Sequence, residues 1–193
     1  MHDSNGLVPG NHWKYCWRCA TFNFIDFGMA AVVSDQMKSA MLVGAIGIGT
    51  QMALNGAAAH AFAHILYKAL LFMSAGAVVY RTGFSKCTDL GGLFRTMPLT
   101  AICGIIGALA ISGFPLTSGF TTKTMISQAA ADESLVFVYF MLAAASAGVF
   151  LHAGIKFPWF VFFQKDSGLR PPDPPRNLQL SMWLFSALCI GLG

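Results

Sequence analysis

The apolar stretch from Ala57 to Tyr80 constrains the fold most, because it carries three basic side chains at a single helical spacing. His60, His64 and Lys68 lie four residues apart within it. On an α-helix such residues share one face and follow each other at about 6 Å along the axis. A charge in mid-bilayer costs at least about 2.5 kcal/mol, so this polar stripe should face other helices or internal water. The stretch therefore predicts a membrane helix with one polar face.

The composition agrees with an integral membrane protein. The chain is 55% hydrophobic and only 10% charged, whereas a soluble domain has about 25% charged residues. The net charge of +4 is spread between apolar stretches, so no basic face for nucleic acid is expected. The sequence also lacks a dinucleotide-binding or phosphate-binding glycine motif and a Ser-His-Asp signature, so we expect neither a soluble enzyme nor a cofactor.

Four apolar segments are long enough to cross the roughly 30 Å hydrocarbon core of a bilayer. Segments 57–80 and 135–163 are predicted to be continuous, segment 97–130 is broken, and the last begins near residue 180. A further span is expected to end near Gly49. Three charged residues interrupt its upstream half: Asp26, Asp35 and Lys38.

The charges of the loops predict an orientation. Segments 81–96 and 164–179 are both basic, whereas the turn between them contains Asp132 and Glu133. Because Lys and Arg are enriched in cytoplasmic loops, both basic segments are predicted to lie on the cytoplasmic side. The proline-rich run 170–176 is predicted to be a stiff, extended spacer.

Gly113 and Pro115 break the apolar segment 97–130. Proline removes a backbone hydrogen bond, so the freed carbonyls need hydroxyl or water partners. Four nearby residues could supply or hold them: Thr117, Ser118, Thr121 and Thr122. Lys123 follows the break, and interrupted helices in ion transporters commonly stabilise charge. Lys123 is therefore a candidate site residue, the alternative being a lysine that extends to the membrane interface.

Two runs of sequence resemble a known family. HAFAHILYKALLFMSAG, which contains His60, His64 and Lys68, is followed by ALAISGFPLTSGFTTK, which ends at Lys123. Together they resemble the proton-conducting antiporter-like subunits shared by multisubunit Na⁺/H⁺ (Mrp) antiporters and respiratory complex I. Segment 147–158 is also similar. The resemblance is greatest to the D subunit of the Mrp type, because TTKTMI lacks the acidic residue that complex I tends to have directly after the lysine.

The resemblance implies an all-α polytopic membrane bundle with a discontinuous helix, forming the C-terminal part of a fourteen-helix subunit. It covers roughly residues 34–193, whereas segment 1–33 is atypical, so the chain is expected to be a fragment. Lys68 would be the central proton carrier, His60 and His64 its neighbours, and Lys123 the exit-side lysine.

The expected partners also come from the resemblance. They are other subunits of a membrane antiporter complex, Na⁺ and H⁺, and the lipid of a bacterial cytoplasmic membrane. The histidines and lysines named above suit proton transfer. A lysine in an apolar interior gives up its proton more readily than one in water, and histidine titrates near neutral pH.

Other interpretations of the histidines remain. His60 and His64 could only form hydrogen bonds between helices, or could bind a metal. A metal is disfavoured, because no carboxylate or thiol lies nearby in the sequence and Lys68 would repel a cation. His152 and Lys156 form a similar pair before Trp159, and we favour an interfacial anchor over a second polar patch.

Cys16 and Cys19, with His12 ahead of them, form a CxxC motif. A zinc site needs a second pair of ligands and a thioredoxin motif needs a βαβ context, and the sequence shows neither. We assign this motif no function.

Three hypotheses of function follow. The chain is a subunit of a cation/proton antiporter, a proton-pumping membrane subunit of an NADH:quinone oxidoreductase-like complex, or a truncated nonfunctional fragment. The partners that purify with it would distinguish the first two.

Overall fold

The computed structural model describes residues 41–84 and 89–193. Within these ranges the backbone forms helices and turns, with no strand. The atypical segment 1–33 lies outside the described residues. So do its motif, His12, Cys16 and Cys19, and the three charged residues of the first span, Asp26, Asp35 and Lys38.

The first long helix, α1, covers Gln51–Thr82. Residues 41–48, just before it, are also helical and end at Gly49, which has a φ of 75°. α1 begins before the predicted Ala57 because Thr50 caps it, its hydroxyl accepting the N–H of Ala53 at 3.2 Å. It ends at Gly83, a left-handed residue whose N–H donates to Val79.

The broken segment consists of two helices. A short 3₁₀ turn, Leu93–Arg95, precedes α2, Pro98–Ser112, and α3 follows as Ser118–Asp132. Gly113 adopts a left-handed conformation with a φ of 76°. It ends α2 where the sequence predicts the break.

The next helix is continuous but changes its winding. α4 covers Val136–Val149 and continues through two π-helical stretches, Phe150–Lys156 and Trp159–Phe163. Pro158 lies between these stretches and cannot donate a backbone hydrogen bond, a common cause of local rewinding. The last helix, α5, covers Arg176–Gly191 and begins directly after Pro175, before the predicted residue 180.

α1 is the central helix and packs against α2, α3 and α5. Glycines permit the closest of these contacts. A Cβ on Gly104 of α2 would lie 2.6 Å from the Ser74 hydroxyl of α1, and one on Gly119 of α3 would clash with the Ala110 carbonyl of α2. Neither site has room for a Cβ. The backbone of α2 therefore packs against the Ser74 side chain of α1, and the backbones of α2 and α3 touch each other.

The two basic loops lie at the same end of the bundle. The Ser167 hydroxyl donates to the Gly91 carbonyl at 3.1 Å, and the rings of Phe94 and Phe163 stack at 5.2 Å. This end of the molecule therefore contains both segments for which the charge pattern predicts one side.

The proline-rich connector forms hydrogen bonds to two helices, in addition to its predicted role as a spacer. Asp173 accepts a hydrogen bond from the Thr100 hydroxyl at 3.2 Å, next to the N-terminus of α2, and Arg81 at the end of α1 donates to its carbonyl. A carboxylate near a helix N-terminus is stabilising. The connector thus ties α5 to both α1 and α2.

Among the described residues, α1 and the helix Val136–Phe163 are long and apolar enough to cross a membrane, judged by length and composition. The outer face of α4 is strongly apolar, with Phe137 76% exposed. Such a surface requires lipid or another protein to cover it.

Candidate functional site

Lys123 is buried at the break between α2 and α3. Its side chain is only 8% exposed, and its Nζ donates to the Ile111 carbonyl at 2.7 Å and to the Ser146 hydroxyl of α4 at 3.3 Å. In an unbroken helix the Ile111 carbonyl would accept the N–H of residue 115, but Pro115 has none. The Ile111 carbonyl is thus one of the carbonyls left free where α2 ends, and Lys123 uses it as an acceptor.

Gly113 provides the space for this side chain. A Cβ at Gly113 would lie 3.1 Å from Cδ and 3.4 Å from Nζ of Lys123. The ammonium group thus lies against the end of α2. It is enclosed by protein, unlike a lysine that extends to the membrane interface.

His60 connects α1 to α3 through Thr122. The His60 ring is fully buried, and its Nδ1 lies 2.9 Å from the Thr122 hydroxyl oxygen. The same oxygen lies 3.2 Å from the Ser118 carbonyl and 3.4 Å from the Gly119 carbonyl. Because a hydroxyl has one proton, Thr122 accepts from Nδ1–H when it donates to its own helix. This contact is one residue from Lys123.

His64 and Tyr67 extend the polar face of α1 by two further rings. The ring centroids of His60 and His64 lie 6.4 Å apart, and the rings of His64 and Tyr67 form a T-shaped pair with centroids 5.3 Å apart and planes at 84°. Tyr67 is fully buried. The three aromatic rings form one contiguous group on the face that includes His60.

Lys68 lies one turn beyond His64 on the same helix and is half-buried. Its Nζ lies 5.8 Å from the centroid of the Phe72 ring, within the range of a cation–π contact. The structure thus brings His60 and Thr122 into contact, places His64 beside them, and leaves Lys68 farther along α1.

The four hydroxyl residues near the break have different surroundings. Thr122 contacts His60, whereas Thr117 donates to the Phe114 carbonyl at 2.6 Å within the break itself. Thr121 donates to the Gly193 carbonyl at 2.9 Å. Ser118 is almost fully buried, and its hydroxyl has no hydrogen-bond partner among the described residues.

Sequence reasoning missed three contributors: the Ile111 carbonyl, Ser146 and Tyr67. Ile111 could have been found, because it lies four residues before Pro115. Tyr67 lies seven residues after His60, a spacing that keeps residues on one helical face. Ser146 gave no signal, because its contact with Lys123 depends on how α4 packs.

The other candidate groups lie apart from this site. His152 and Lys156 are on the outside of the π-helical stretch, with Nζ 3.5 Å from Nδ1. Trp159, the third member of the predicted anchor, is 57% exposed. Across the described residues, no group of three or more His, Cys, Asp or Glu could hold a metal ion. The interfacial anchor stays a prediction.

Comparison with known proteins identifies the family. The family described as NADH:quinone oxidoreductase/Mrp antiporter, TM matches residues 36–151. The chain belongs to this family. The NADH:quinone oxidoreductase/Mrp antiporter family consists of membrane proteins, so the all-α polytopic membrane fold expected from the sequence is confirmed.

Relatives within the family come from two kinds of complex. The chain is 31% identical over 77% of its length to a probable component of a K(+)/H(+) antiporter from Rhizobium meliloti, and covers 16% of that protein. It is 33% identical over 58% of its length to a component of the F(420)H(2) dehydrogenase of Methanosarcina mazei, and covers 19% of it.

A solved structure has the same fold. A chain of the membrane-bound sulfane sulfur reductase (MBS), an archaeal respiratory membrane complex, superposes with a TM-score of 0.71 at 25% identity. The match covers 85% of the present chain and 32% of the MBS chain. The present chain thus corresponds to a minor part of each of these proteins.

Proposed function

We propose that this chain is a membrane subunit of a monovalent cation/proton antiporter, in which a buried relay of histidine and lysine carries protons. Lys68 is the central carrier, His64 and His60 are the next groups, and Lys123 is the terminal lysine at the broken helix. The observation that supports this most is the burial of Lys123 at the break, with the His60–Thr122 contact on the adjacent residue.

The surroundings of Lys123 suit a group that gains and loses a proton. Both of its acceptors, the Ile111 carbonyl and the Ser146 hydroxyl, are neutral. Neutral dipoles stabilise an ammonium without fixing it as a carboxylate partner would. A charge that moves nearby, such as a cation or a protonated histidine, can then decide whether Lys123 keeps its proton.

The arrangement also suggests how a proton reaches Lys123. His60 can release a proton through Nδ1 to the Thr122 hydroxyl, which passes its own proton onward through water. Ser118 lies one turn before Thr122 and has a buried hydroxyl that could hold such water. The proposed path therefore crosses from α1 to α3 at the level of the break.

We assign the chain to the D type of the Mrp antiporters. Thr124 follows Lys123 directly, where an acidic residue would favour complex I. The relative from Rhizobium meliloti is a probable component of a K(+)/H(+) antiporter, which agrees with cation exchange. The expected partners are the other antiporter subunits, Na⁺ and H⁺, in a bacterial cytoplasmic membrane.

Cation-driven proton movement tests the proposal. Inverted membrane vesicles would contain the chain assembled with its partner subunits, in cells without other antiporters, and a fluorescent dye would report the pH gradient. Addition of Na⁺ or K⁺ should collapse the gradient. Lys123→Ala should abolish this collapse, whereas Lys156→Ala, which changes an exposed lysine, should not. Normal collapse with Lys123→Ala at normal expression would contradict the proposal.

A proton-pumping subunit of a redox complex is the second candidate function. The similarity to a dehydrogenase component of Methanosarcina mazei favours it. Purification of the tagged chain from its native membrane distinguishes the two candidates. Small antiporter subunits in the preparation would support the first, and flavin or iron–sulfur subunits would support the second.

A further inference from the structure

An exposed aromatic surface lies where the last π-helical stretch of α4 ends. Trp159 and Phe163 are four residues apart, a spacing that keeps them on one helical face, and they are 57% and 45% exposed. The ring of Phe94, from the 3₁₀ turn before α2, stacks on Phe163 with the centroids 5.2 Å apart and is 43% exposed itself. We call these three rings the aromatic wall. The exposed Leu151 and Ile155 continue the same spacing toward the middle of the span.

Two basic side chains lie directly beyond the aromatic wall. Arg95 follows Phe94 in the sequence, and Lys165 comes two residues after Phe163. Both side chains are exposed. Because the stack of Phe94 on Phe163 joins the two loops that carry these cations, both lie next to the same edge of the wall.

Asp166, the residue after Lys165, is already paired. Its carboxylate forms an ion pair with Arg170 at 2.6 Å. The hydrogen bonds from Arg170 and the Gly168 N–H, and to a smaller extent the charge of Arg95, hold the pKa of Asp166 well below its usual range. Arg95 therefore lies near this ion pair. Since the pair is neutral overall, it leaves the charges of Arg95 and Lys165 largely available to an anion.

The surroundings of the aromatic wall favour an anionic phospholipid as its occupant. An apolar surface that ends at cations matches a molecule with acyl chains on one side and a negative headgroup at the membrane edge. Segments 81–96 and 164–179 together contain six basic and three acidic residues, so this end of the bundle is positive. A zwitterionic headgroup gains less from this charge, because its ammonium group is repelled.

We propose that the aromatic wall and the adjacent cations form a binding site for an anionic phospholipid. One acyl chain lies along Trp159 and Phe163, and the phosphate contacts Arg95 and Lys165. The proposal does not depend on the proton relay, since none of these residues belongs to it. A lipid bound here would connect the turn before α2 to the end of α4.

Brominated acyl chains test the site, because bromine quenches the fluorescence of a tryptophan that the chain touches. The assembled complex is placed in phosphatidylcholine vesicles that contain a minor fraction of phosphatidylglycerol. Bromine is carried either by the phosphatidylglycerol or by an equal fraction of the phosphatidylcholine. The difference in signal between the wild type and Trp159→Phe belongs to Trp159 alone. Brominated phosphatidylglycerol should quench Trp159 more strongly than brominated phosphatidylcholine.

Arg95→Gln and Arg176→Gln form a matched pair of variants, because both change an exposed arginine at the same end of the bundle. One basic side chain near a membrane surface gives about a fivefold preference for anionic lipid. Arg95→Gln should lower the preference of Trp159 for phosphatidylglycerol by about this factor, and Lys165→Gln should act in the same way. Arg176→Gln should change it less than about twofold, because salt screens a more distant charge.

The control and the contradicting results are distinct. Quenching by brominated phosphatidylcholine should be the same in all variants that keep Trp159, which shows that the fold is intact. Equal quenching by the two brominated lipids in the wild type would overturn the proposal, as would an unchanged preference with Arg95→Gln. Equal losses with Arg95→Gln and Arg176→Gln would show a diffuse attraction and overturn a site. If neither lipid quenches Trp159, a partner subunit covers the wall, and the proposal is wrong.

Discussion

At the scale of single residues, a free carbonyl at the end of α2 defines the surroundings of Lys123. Pro115 leaves the Ile111 carbonyl without a helical donor, and the Lys123 ammonium occupies that acceptor at 2.7 Å. The end of α2 thus supplies a hydrogen-bond acceptor, the Ile111 carbonyl, to Lys123. The proline and the lysine are therefore two parts of one structure, although eight positions of sequence separate them.

Thr122→Val tests the contact that connects α1 to α3. The substitution keeps the shape of the side chain but removes the hydroxyl that lies 2.9 Å from His60 Nδ1. We expect proton flux to fall at least about tenfold, while stability falls by only about 1 kcal/mol, the usual value of one buried hydrogen bond. Vesicle flux and thermal unfolding measure the two effects.

Thr124→Val is the matched control for this prediction. The Thr124 hydroxyl is exposed and bonds to carbonyls of its own helix, those of Phe120 and Thr121 at 2.9 Å. Its loss should leave the flux unchanged. Equal fluxes in the two valine variants would show that the His60–Thr122 contact carries no protons.

The residues of the site differ in how far the sequence predicts them. His60 and Lys123 could be proposed from sequence because ionisable groups are rare in apolar segments. The free Ile111 carbonyl follows from its position four residues before Pro115. Ser146 could not be proposed, since it meets Lys123 only through tertiary packing. Their roles in transport stay predictions.

At the scale of helices, close backbone contact keeps α2 and α3 together across the break. The Ala110 carbonyl of α2 occupies the space that a Cβ of Gly119 would need. Because Pro115 has no N–H to donate and Gly113 turns the chain at the end of α2, this contact helps to fix the angle between the two helices. The sequence predicted the break from these two residues, but it did not predict the π-helical winding on either side of Pro158.

Gly119→Ala and Gly76→Ala test this contact as a pair. Alanine is favoured over glycine within a helix by about 1 kcal/mol, and a Cβ on Gly76 meets nothing within 4 Å. Gly76→Ala should therefore preserve or raise stability. Gly119→Ala should lower it by about 1–3 kcal/mol, because the methyl group forces the helices apart. Thermal unfolding in detergent measures both, and equal stabilities would mean that α2 and α3 do not touch here.

At the scale of the whole molecule, the two basic loops and the proline-rich connector come together at one end of the bundle. The basic loops meet through Ser167 and Gly91, and the proline-rich connector ties α5 to α1 and α2 through Asp173. The Asp166 carboxylate forms an ion pair with Arg170 at 2.6 Å, which holds the pKa of Asp166 well below its usual range. The charge pattern predicted that these loops share one end, and the contact confirms it. Their cytoplasmic location stays a prediction.

The whole bundle places its buried ionisable groups centrally and its apolar side chains outside. His60 and Lys123 are enclosed between helices, whereas Phe137 and Leu180 are more than 70% exposed. This inverted distribution is what a bilayer demands, because lipid cannot satisfy polar groups. It also confines any proton path to the interior of the bundle, where α1, α2 and α3 meet.

Proton flux through a variant of His60 tests the proposed relay most directly. In inverted vesicles that contain the assembled complex, His60→Ala should reduce cation-driven proton flux at least about tenfold, because it removes the side-chain link from α1 to Thr122. His152→Ala, which changes a histidine on the outer π-helical stretch, should leave the flux unchanged. A wild-type flux with His60→Ala would contradict a relay that runs from α1 to Lys123.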